Sequence, residues 1–465
     1  MGKNIGALAG RRRRNTQLLV GGALAVVVLS VLALVATQRW WVADASGAAP
    51  ATRPAPPPVV ATPAVAPLRP DALVPTPAGV AAVLGPRLGN PGLGSFTGSV
   101  TDAATGAVLW SAQPDRPMTP ASTVKILTAT AALLALPSDH RVATNVVQGA
   151  TPTELVLVAG GDPTLTAQPV GKPNYYPGAA RVDDLVDQIK RTGVRYDALK
   201  VDLGAYIGPT MAPGWIGADI AGGYIAPTEP IMIDGGRLRP LEHESPRSAT
   251  PAMDAARLIA AGLGIDPARV TLGTASPGAA PVAGVQSAPL RERLRQMMEH
   301  SDNVLAEAVA REIARKIGVE PSFSGGTTAI TETLRKAGID LGGLLLRDAS
   351  GLSTDDRLPA RLLDKVMALA AGNGNPALRP LLDFLPVAGA TGTLSDRYAT
   401  GDRSGAGWVR AKTGTLSTAS SLVGYVVDAS GRALTFALMS NDRPPEVARP
   451  ALDAVASALR SCGCT

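Results

Sequence analysis

Three short polar motifs in the sequence contain residue types that together could carry out acyl transfer. They are Ser122-Thr-Val-Lys125, Ser301-Asp-Asn303 and Lys412-Thr-Gly414. A serine hydroxyl is a weak nucleophile, and it attacks a carbonyl readily only when a neighbouring base accepts its proton. Among the lysines of the chain, only Lys125 follows a serine by three positions. Ser122 is therefore the predicted nucleophile and Lys125 the predicted base.

The segment that follows Ser122 predicts a buried helix that would hold the lysine beside the serine. Its sequence, KILTATAALLAL, is rich in alanine and leucine, and Pro120 suits a helix start. Residues three apart share a helix face, so Lys125 is expected one turn from Ser122. Apolar neighbours and a second cation, Lys412, would lower the pKa of Lys125, and the neutral amine could then accept a proton. Alone, Lys125 could instead extend from a core helix to solvent.

Ser301-Asp-Asn303 lies between two helical stretches and is predicted to form a loop or a helix cap. Ser301 is predicted to relay a proton to the leaving amine. Asn303 is predicted to bind the substrate amide and Lys125. The alternative is an ordinary N-cap without a catalytic role.

Lys412-Thr-Gly414 ends a short predicted strand, and two further strands follow, joined by a hairpin turn at residues 429–432. On an edge strand, Lys412 and the Thr413 hydroxyl could bind a substrate carboxylate. Gly414 would let the substrate backbone approach closely. The backbone N–H groups of Thr415 and Ser122 are predicted to form an oxyanion hole.

The composition suits a globular protein of two or three domains, with 46% apolar and 18% charged residues. Much of the net charge of +6 lies in Arg11–Arg14, so no nucleic-acid partner is indicated. Three histidines and two cysteines provide no obvious zinc framework, and no cofactor or metal is expected. A disulfide between Cys462 and Cys464 would be strained, so free thiols or an intermolecular link are expected.

The uncharged stretch Leu18–Ala36 is long enough to span a bilayer. Arginines in the preceding tail, residues 1–17, would keep that tail in the cytoplasm, and Trp40–Trp41 suits the membrane interface. We therefore expect a single-pass anchor at 18–38, with the rest of the chain outside the cytoplasm. The alternative is a signal peptide cleaved after Ala45, which would release a secreted protein.

Residues 46–80 are rich in proline and alanine and are predicted to form an extended linker or a disordered spacer. Beyond them, residues 95–113 are predicted to form two strands joined by a turn, and residues 446–461 are predicted to form a helix that packs on the sheet. Strands at both ends of the chain therefore enclose a largely helical middle. This order predicts an α/β (α+β) fold with a central antiparallel sheet sandwiched by helices. The long gap between the first two motifs predicts an inserted accessory domain at 140–285, within a catalytic domain formed by 81–139 and 286–465.

The three motifs resemble the signature shared by penicillin-binding proteins and class A β-lactamases. From Ser122 onward the chain resembles the D-alanyl-D-alanine carboxypeptidase/endopeptidases of the class C, type-4 low-molecular-mass penicillin-binding protein family. The matching motifs are Pro120-Ala-Ser-Thr-Val-Lys125, Gly161-Asp-Pro-Thr-Leu165, Pro213-Gly-Trp215 with Asp219, Ser287-Ala-Pro-Leu290, Ser350-Gly-Leu-Ser353 and Leu385-Pro-Val-Ala-Gly389. Thr354 and Ser417 depart from the family pattern.

The resemblance implies a penicillin-binding/serine β-lactamase-like domain that carries an inserted domain. It implies an exported serine D-alanyl-D-alanine carboxypeptidase or DD-endopeptidase that trims peptidoglycan stem peptides through an acyl-enzyme on Ser122. β-Lactam antibiotics would acylate the same serine. Asp219 would bind the D-centre of a diamino acid with Tyr224 beside it; the alternative for Asp219 is a solvated loop carboxylate.

Two other functions remain open from the sequence. A serine β-lactamase of class A needs a glutamate that activates the deacylating water. No E-x-x-x-N motif supplies one between Ser301 and Lys412. A non-catalytic penicillin sensor or wall-binding scaffold would be expected to have a degenerate site, whereas all three motifs here are intact.

Overall fold

The computed structural model describes residues 72–464 of the chain. The predicted anchor at 18–38 and the predicted linker up to residue 71 lie outside the described residues. Within residues 72–464, no helix combines the length and the apolar character needed to cross a membrane.

A five-stranded antiparallel sheet forms the centre of the fold. In spatial order its strands are β10 (Arg410–Leu416), β11 (Ala419–Val427), β12 (Ala433–Asn441), β1 (Ser95–Asp102) and β2 (Val108–Ala112). The two hairpins predicted from the sequence, β1–β2 and β11–β12, are both present. β10 lies at one edge of the sheet, as expected for the strand that carries the third motif.

Helices cover both faces of this sheet. α9 (Ala360–Ala371) packs on β1, β11 and β12, and the C-terminal helix α11 (Pro445–Arg460) packs on β11 and β12. Neighbouring residues of β11 show that the two faces differ, because Leu422 joins the α11 core and Val423 joins the core of the helical middle. The predicted sandwich is confirmed. The sequence did not predict α1 (Pro77–Leu88), which packs on α11 and begins within the last residues of the predicted linker.

The helical middle surrounds the helix that follows Ser122. That helix, α2 (Val124–Ala135), is almost entirely buried, as predicted. Its neighbours are α6 (Leu290–Glu299), α7 (Asn303–Ile317), α8 (Phe323–Lys336) and α10 (Pro380–Asp383). The apolar faces of α2, α7 and α8 meet in one core, so the first two motifs lie at the ends of helices fixed by common packing.

Residues between the first two motifs form a second sheet with its own core. Its strands, in spatial order, are β8 (Val270–Leu272), β6 (Ala198–Asp202), β4 (Glu154–Val158), β3 (Ala143–Gln148) and β9 (Pro281–Gln286). Two helices, α3 (Val182–Lys190) and α5 (Pro251–Leu263), pack against it. A separate parallel pair, β5 (Asp162–Leu165) and β7 (Ile231–Ile233), and the short helix α4 (Gly217–Ala221) complete this part. The boundaries of the accessory domain stay a prediction.

The C-terminal cysteines correct one expectation. Cys462 and Cys464 form a disulfide, whereas the sequence indicated free thiols or an intermolecular link. The turn after α11 places the two Cα atoms 4.9 Å apart, inside the usual disulfide range. The same turn returns the chain to the start of α1, where the Thr76 N–H donates to the Cys464 carbonyl over 2.7 Å.

Candidate active site

Ser122 lies in a tight 3₁₀ turn, Ala121–Thr123, immediately before α2. The residue before it, Ala121, has a φ of 50°, a left-handed conformation that costs a non-glycine residue about 1–3 kcal/mol. The Ser421 hydroxyl donates to the Pro120 carbonyl over 2.6 Å and fixes the turn against β11. Ser122 itself is half-buried.

Lys125 is fully buried one turn beyond Ser122, which excludes the alternative of a lysine that extends to solvent. Its Nζ lies 3.0 Å from Ser122 Oγ and 2.5 Å from Asn303 Oδ1. A third bond, of 2.6 Å, goes to the Ser350 carbonyl. The structure therefore brings together the first and second motifs as the sequence predicted. The Ser350 carbonyl was not anticipated.

Burial lowers the pKa of Lys125 to about 8. Nearby carboxylates partly offset this effect, and they are, in order of influence, Asp348, Asp302, Glu307 and Asp356. The sequence predicted the direction of the shift but gave Lys412 as part of the cause. The structure shows burial as the cause and acids as the counterweight. With a pKa of about 8, a minority of Lys125 is the free amine at neutral pH.

The acids behind Lys125 shape the loop that contacts it. Asp348 accepts hydrogen bonds from the backbone N–H groups of Ser350, Gly351 and Ser353, over 3.1, 2.6 and 2.7 Å. Glu307 accepts from the Ala349 N–H over 3.0 Å. These bonds aim the Ser350 carbonyl at Lys125.

Gly351 lets this loop approach the nucleophile turn. Its φ is +79°, and a Cβ there would lie 1.9 Å from the Ala121 carbonyl oxygen. Asp348 also accepts from Trp215 Nε1 over 2.7 Å, which ties the Pro213-Gly-Trp215 motif to the same loop. Burial raises the pKa of Glu307 to about 7 and that of Asp356 to about 10.

The second motif is both a helix cap and part of the site. Asp302 caps α7, because its Oδ1 accepts from the Leu305 N–H over 3.0 Å. Ser301 has a φ of 57°, and its Oγ lies 2.9 Å from Lys412 Nζ. Asn303 donates from Nδ2 to the Tyr224 carbonyl over 2.9 Å while its Oδ1 contacts Lys125. The motif thus connects the first motif to the third.

Two residues of the accessory part hold Asp302 in place, and the sequence did not identify them. Tyr176 donates its hydroxyl proton to Asp302 Oδ2 over 2.7 Å. The Arg237 guanidinium lies 3.4 Å from the same oxygen and 2.8 Å from the Tyr176 hydroxyl. Burial alone would raise the pKa of Asp302, but Arg237 and Arg247 hold that pKa well below its usual range. A buried, ionised clamp therefore fixes the loop that carries Ser301.

Lys412 is fully buried at the edge strand β10. Its Nζ donates to the Thr413 carbonyl over 2.8 Å as well as to Ser301. Burial, and then the charge of Lys125, place the pKa of Lys412 well below its ordinary value. Thr413 Oγ1 lies 2.7 Å from Thr393 Oγ1, a neighbour that the sequence did not single out.

Gly414 has a packing role that the sequence did not predict. A Cβ at Gly414 would lie 2.1 Å from Ser421 Oγ and 2.5 Å from the Pro120 carbonyl oxygen. The glycine therefore lets β10 approach the nucleophile turn, and the close approach of a substrate backbone stays a prediction. Thr415, the next residue, accepts at Oγ1 from Arg449 Nε over 3.2 Å. The oxyanion hole of the Thr415 and Ser122 N–H groups stays a prediction.

Asp219 lies within α4, and its carboxylate serves that helix. Asp219 Oδ2 accepts from the Ile216 N–H over 2.9 Å, which caps the first turn. Tyr224 is exposed and lies beside Asp219, because the Tyr224 N–H donates to the Asp219 carbonyl over 2.9 Å. The Tyr224 carbonyl reaches the site through Asn303, whereas the role of Asp219 toward substrate stays a prediction.

Ser122 and Ser301 are both half-buried, and a buried lysine contacts the hydroxyl of each. Such a site on a helix-covered antiparallel sheet defines the class of serine acyl-transfer enzymes with a lysine base. Within that class, the model of the D-Ala-D-Ala carboxypeptidase 3 (S13) family matches residues 80–241 and 240–461, so the chain belongs to this family. It is a serine-type D-Ala-D-Ala carboxypeptidase, as the sequence predicted.

Curated relatives match nearly the whole chain. Carboxypeptidase DacB of Mycolicibacterium smegmatis is 51% identical over 458 residues, which are 98% of this chain and 99% of that protein. A carboxypeptidase of Mycobacterium tuberculosis is 50% identical over 459 residues, again covering 98% and 99%. Penicillin-binding protein 4 (dacB) from Haemophilus influenzae shares the fold, with a TM-score of 0.66 and 20% identity over 83% of this chain and 97% of that one.

Proposed function

We propose that the enzyme removes the terminal D-alanine from peptidoglycan stem peptides through an acyl-enzyme on Ser122. The observation that carries this proposal is the 3.0 Å contact between Lys125 Nζ and Ser122 Oγ, within a site where Lys125 is fully buried. Family membership supports the D-Ala-D-Ala substrate. The same site would also accept a D-Ala bond within a cross-link, so DD-endopeptidase activity is included in the proposal.

In the acylation step, neutral Lys125 accepts the hydroxyl proton as Ser122 Oγ bonds to the carbonyl carbon of the penultimate D-alanine. The C–N bond of the resulting tetrahedral intermediate then breaks. The leaving amine takes a proton from the Ser301 hydroxyl. The proton that Lys125 accepted from Ser122 then restores that hydroxyl, relayed through Lys412. The 2.9 Å contact between Lys412 Nζ and Ser301 Oγ supports this relay.

In the deacylation step, water attacks the ester carbon and gives up a proton to the site. The site passes this proton to Ser122 Oγ as the ester bond breaks. A β-lactam would follow only the first step efficiently, because opening its ring leaves the amine tethered in the site. A penicillin-binding protein 4 from Haemophilus influenzae has been solved in complex with a β-lactam, and its fold is similar to that of this chain. β-Lactams are therefore proposed as covalent inhibitors.

Intact-mass measurement after incubation with penicillin, together with D-alanine release from a diacyl-D-Ala-D-Ala peptide, tests this proposal. We expect one stable adduct and peptide cleavage, both lost in Ser122→Ala. Ser276→Ala, which changes an exposed serine of the accessory part, is the matched control and should retain both. An undiminished adduct in Ser122→Ala would refute the assignment, fast penicillin turnover would indicate a β-lactamase, and labelling without cleavage would indicate a sensor.

We further propose that residues 18–36 tether the enzyme on the outer side of the cytoplasmic membrane, with a cleaved, secreted form as the alternative. The support is the uncharged stretch behind Arg11–Arg14. Mass analysis of the mature protein from membranes should find residues 18–36 retained. A mature protein that begins at Ser46 would establish cleavage instead.

A further inference from the structure

Asp356 is a fully buried acid in the loop behind Lys125, and the proposed chemistry gives it no step of its own. Its Oδ1 accepts from the Arg347 N–H over 2.6 Å. Among the residues that the structure describes, no N–H or hydroxyl group donates to its Oδ2, although that atom is shielded from solvent. The Arg357 guanidinium donates to the Asp356 backbone carbonyl over 2.7 Å rather than to the carboxyl group. An ionised Asp356 would therefore be a poorly compensated buried charge.

The carboxyl group of Asp348 lies within hydrogen-bonding reach of Asp356 and has far better partners. Three backbone N–H groups of the loop and the Trp215 indole donate to it. Hydrogen bonds to a carboxylate favour its charged form, whereas burial without them favours the protonated form. Two buried carboxyl groups in contact do not both ionise, so one proton stays with the pair. The unequal number of donors places that proton on Asp356.

The charges around Asp356 act in the same direction. Burial, followed by the charge of Asp348, raises the pKa of Asp356 to about 10, and Glu307 on α7 adds to this effect. Of the four acidic side chains near Lys125, Asp356 has the smallest influence on the pKa of that lysine. A protonated acid suits this position because it can bond to Asp348 without adding a charge that would keep Lys125 protonated.

We propose that Asp356 stays protonated at neutral pH and donates a hydrogen bond to Asp348. Asp348 then keeps the loop in place, and the Ser350 carbonyl stays directed at Lys125. Asp356 is thus a positioning residue that acts on the base through Asp348. This role rests on the proposed function, in which neutral Lys125 accepts the proton of Ser122.

Urea unfolding of the full-length protein tests where the proton lies. The folded state would hold one proton that the unfolded chain releases above about pH 4, so folding should weaken as the pH rises. Asp356→Asn keeps the shape and offers an amide N–H to Asp348, but it has no proton to lose. Relative to this variant, the folding equilibrium constant of the wild type should fall about tenfold per pH unit between about pH 5 and about pH 8.

Asp355→Asn is the matched control, because Asp355 is the exposed neighbour of Asp356. Its folding equilibrium constant should keep a fixed ratio to that of the wild type over the same pH range. A fixed ratio between Asp356→Asn and the wild type would show that Asp356 is ionised in the folded protein, and it would overturn the proposal.

Acylation by penicillin tests the positioning role. Asp356→Ala removes the hydrogen bond to Asp348 and should slow acylation about tenfold. Asp356→Asn restores a donor and should recover the wild-type rate, with the pH of half-maximal acylation in place. A lower pH of half-maximal acylation in Asp356→Asn would mean that a negative charge had been removed. That result, or near-normal acylation in Asp356→Ala, would overturn the inference while leaving the proposed function intact.

The proposed function fails in a different way. Absence of acylation in the wild type, or acylation retained in Ser122→Ala, would overturn the proposed function and the positioning role with it. The unfolding comparison does not depend on catalysis, so it decides in either case whether Asp356 holds the proton.

Discussion

The two lysines of the site are equally buried but have opposite surroundings. Lys125 has four acidic side chains near it, which partly offset the effect of burial and leave its pKa at about 8. Lys412 contacts the Ser301 hydroxyl and the Thr413 carbonyl, and burial and the charge of Lys125 place its pKa well below the ordinary value. The comparison teaches that the acids decide which amine holds the proton. In the free enzyme Lys125 holds a proton more tightly than Lys412 does, and acylation starts from the fraction of molecules in which Lys125 is neutral.

The largest expected effect comes from removing Lys125, the base of the lysine pair. Lys125→Met leaves Ser122 without a proton acceptor, and acylation by penicillin should slow by about 10²- to 10⁴-fold. The rate is measured from the growth of the adduct by intact mass, with thermal unfolding as a check on folding. Lys365→Met, which changes an exposed lysine of α9, is the matched control and should acylate normally. Near-normal acylation in Lys125→Met would remove the distinction between the two lysines.

Removal of the other lysine should cost less. Lys412→Met deletes the donor to Ser301 but leaves the base, so acylation should slow by about ten- to a hundredfold. Because burial and the nearby acids set the pKa of Lys125, the pH at which acylation reaches half its maximum should stay in place. A loss as large as that of Lys125→Met, or a midpoint that moves, would contradict the comparison.

Asp219 lies in the surroundings of neither lysine, and its removal should affect only particular substrates. Asp219→Asn keeps an oxygen that can cap α4 but removes the charge proposed to face the D-centre of a diamino acid. The kcat/KM for diaminopimelate-containing peptides should fall about tenfold. Penicillin acylation and cleavage of simple diacyl-D-Ala-D-Ala should be unchanged.

Asp184→Asn, on the exposed face of α3, is the matched control for Asp219→Asn. If Asp219→Asn lowered activity on all three substrates equally, Asp219 would support the fold or the chemistry rather than selecting the substrate.

The smallest expected effect is a shift in pH dependence. Acylation needs neutral Lys125, so its rate should rise with pH and level off above about 8. Glu307→Gln keeps an acceptor for the Ala349 N–H but removes a negative charge that raises the pKa of Lys125. The midpoint should therefore move down, by up to about one pH unit.

The matched control for this shift is Glu320→Gln, which changes an exposed glutamate and should leave the midpoint in place. A midpoint unchanged or raised in Glu307→Gln would show that the acids do not set the proton affinity of Lys125.

Local patterns were enough to predict much of the fold. The alanine- and leucine-rich run after Ser122 predicted α2, and alternating apolar residues bounded by turns predicted β1–β2 and β11–β12. The motif spacing also indicated which residues meet, because Lys125 and Asn303 are in contact. These predictions succeeded because the spacing of apolar residues typical of a helix or a strand can be recognised among neighbouring residues.

The remainder depends on contacts between distant segments, which a single sequence does not display. Asp348 and Glu307 gave no local signal of their place behind Lys125, and Arg449 belongs to a helix predicted only to pack on the sheet. The packing role of Gly414 was missed because its neighbours are Pro120 and Ser421, which lie far away along the chain. The disulfide was missed because its feasibility depends on the turn that follows α11.

The clamp on Asp302 limits how this enzyme can be divided into parts. Arg237 and Tyr176 belong to the accessory part, yet they neutralise and orient a buried carboxylate next to Ser301. A truncated enzyme without residues 140–285 would retain every motif serine and lysine but would leave that charge without its partners, at a cost of about 3–5 kcal/mol. The strained backbone of Ser301 would then have little to hold it. A compound that separates Arg237 from Asp302 would inactivate the enzyme without binding at the reaction centre itself.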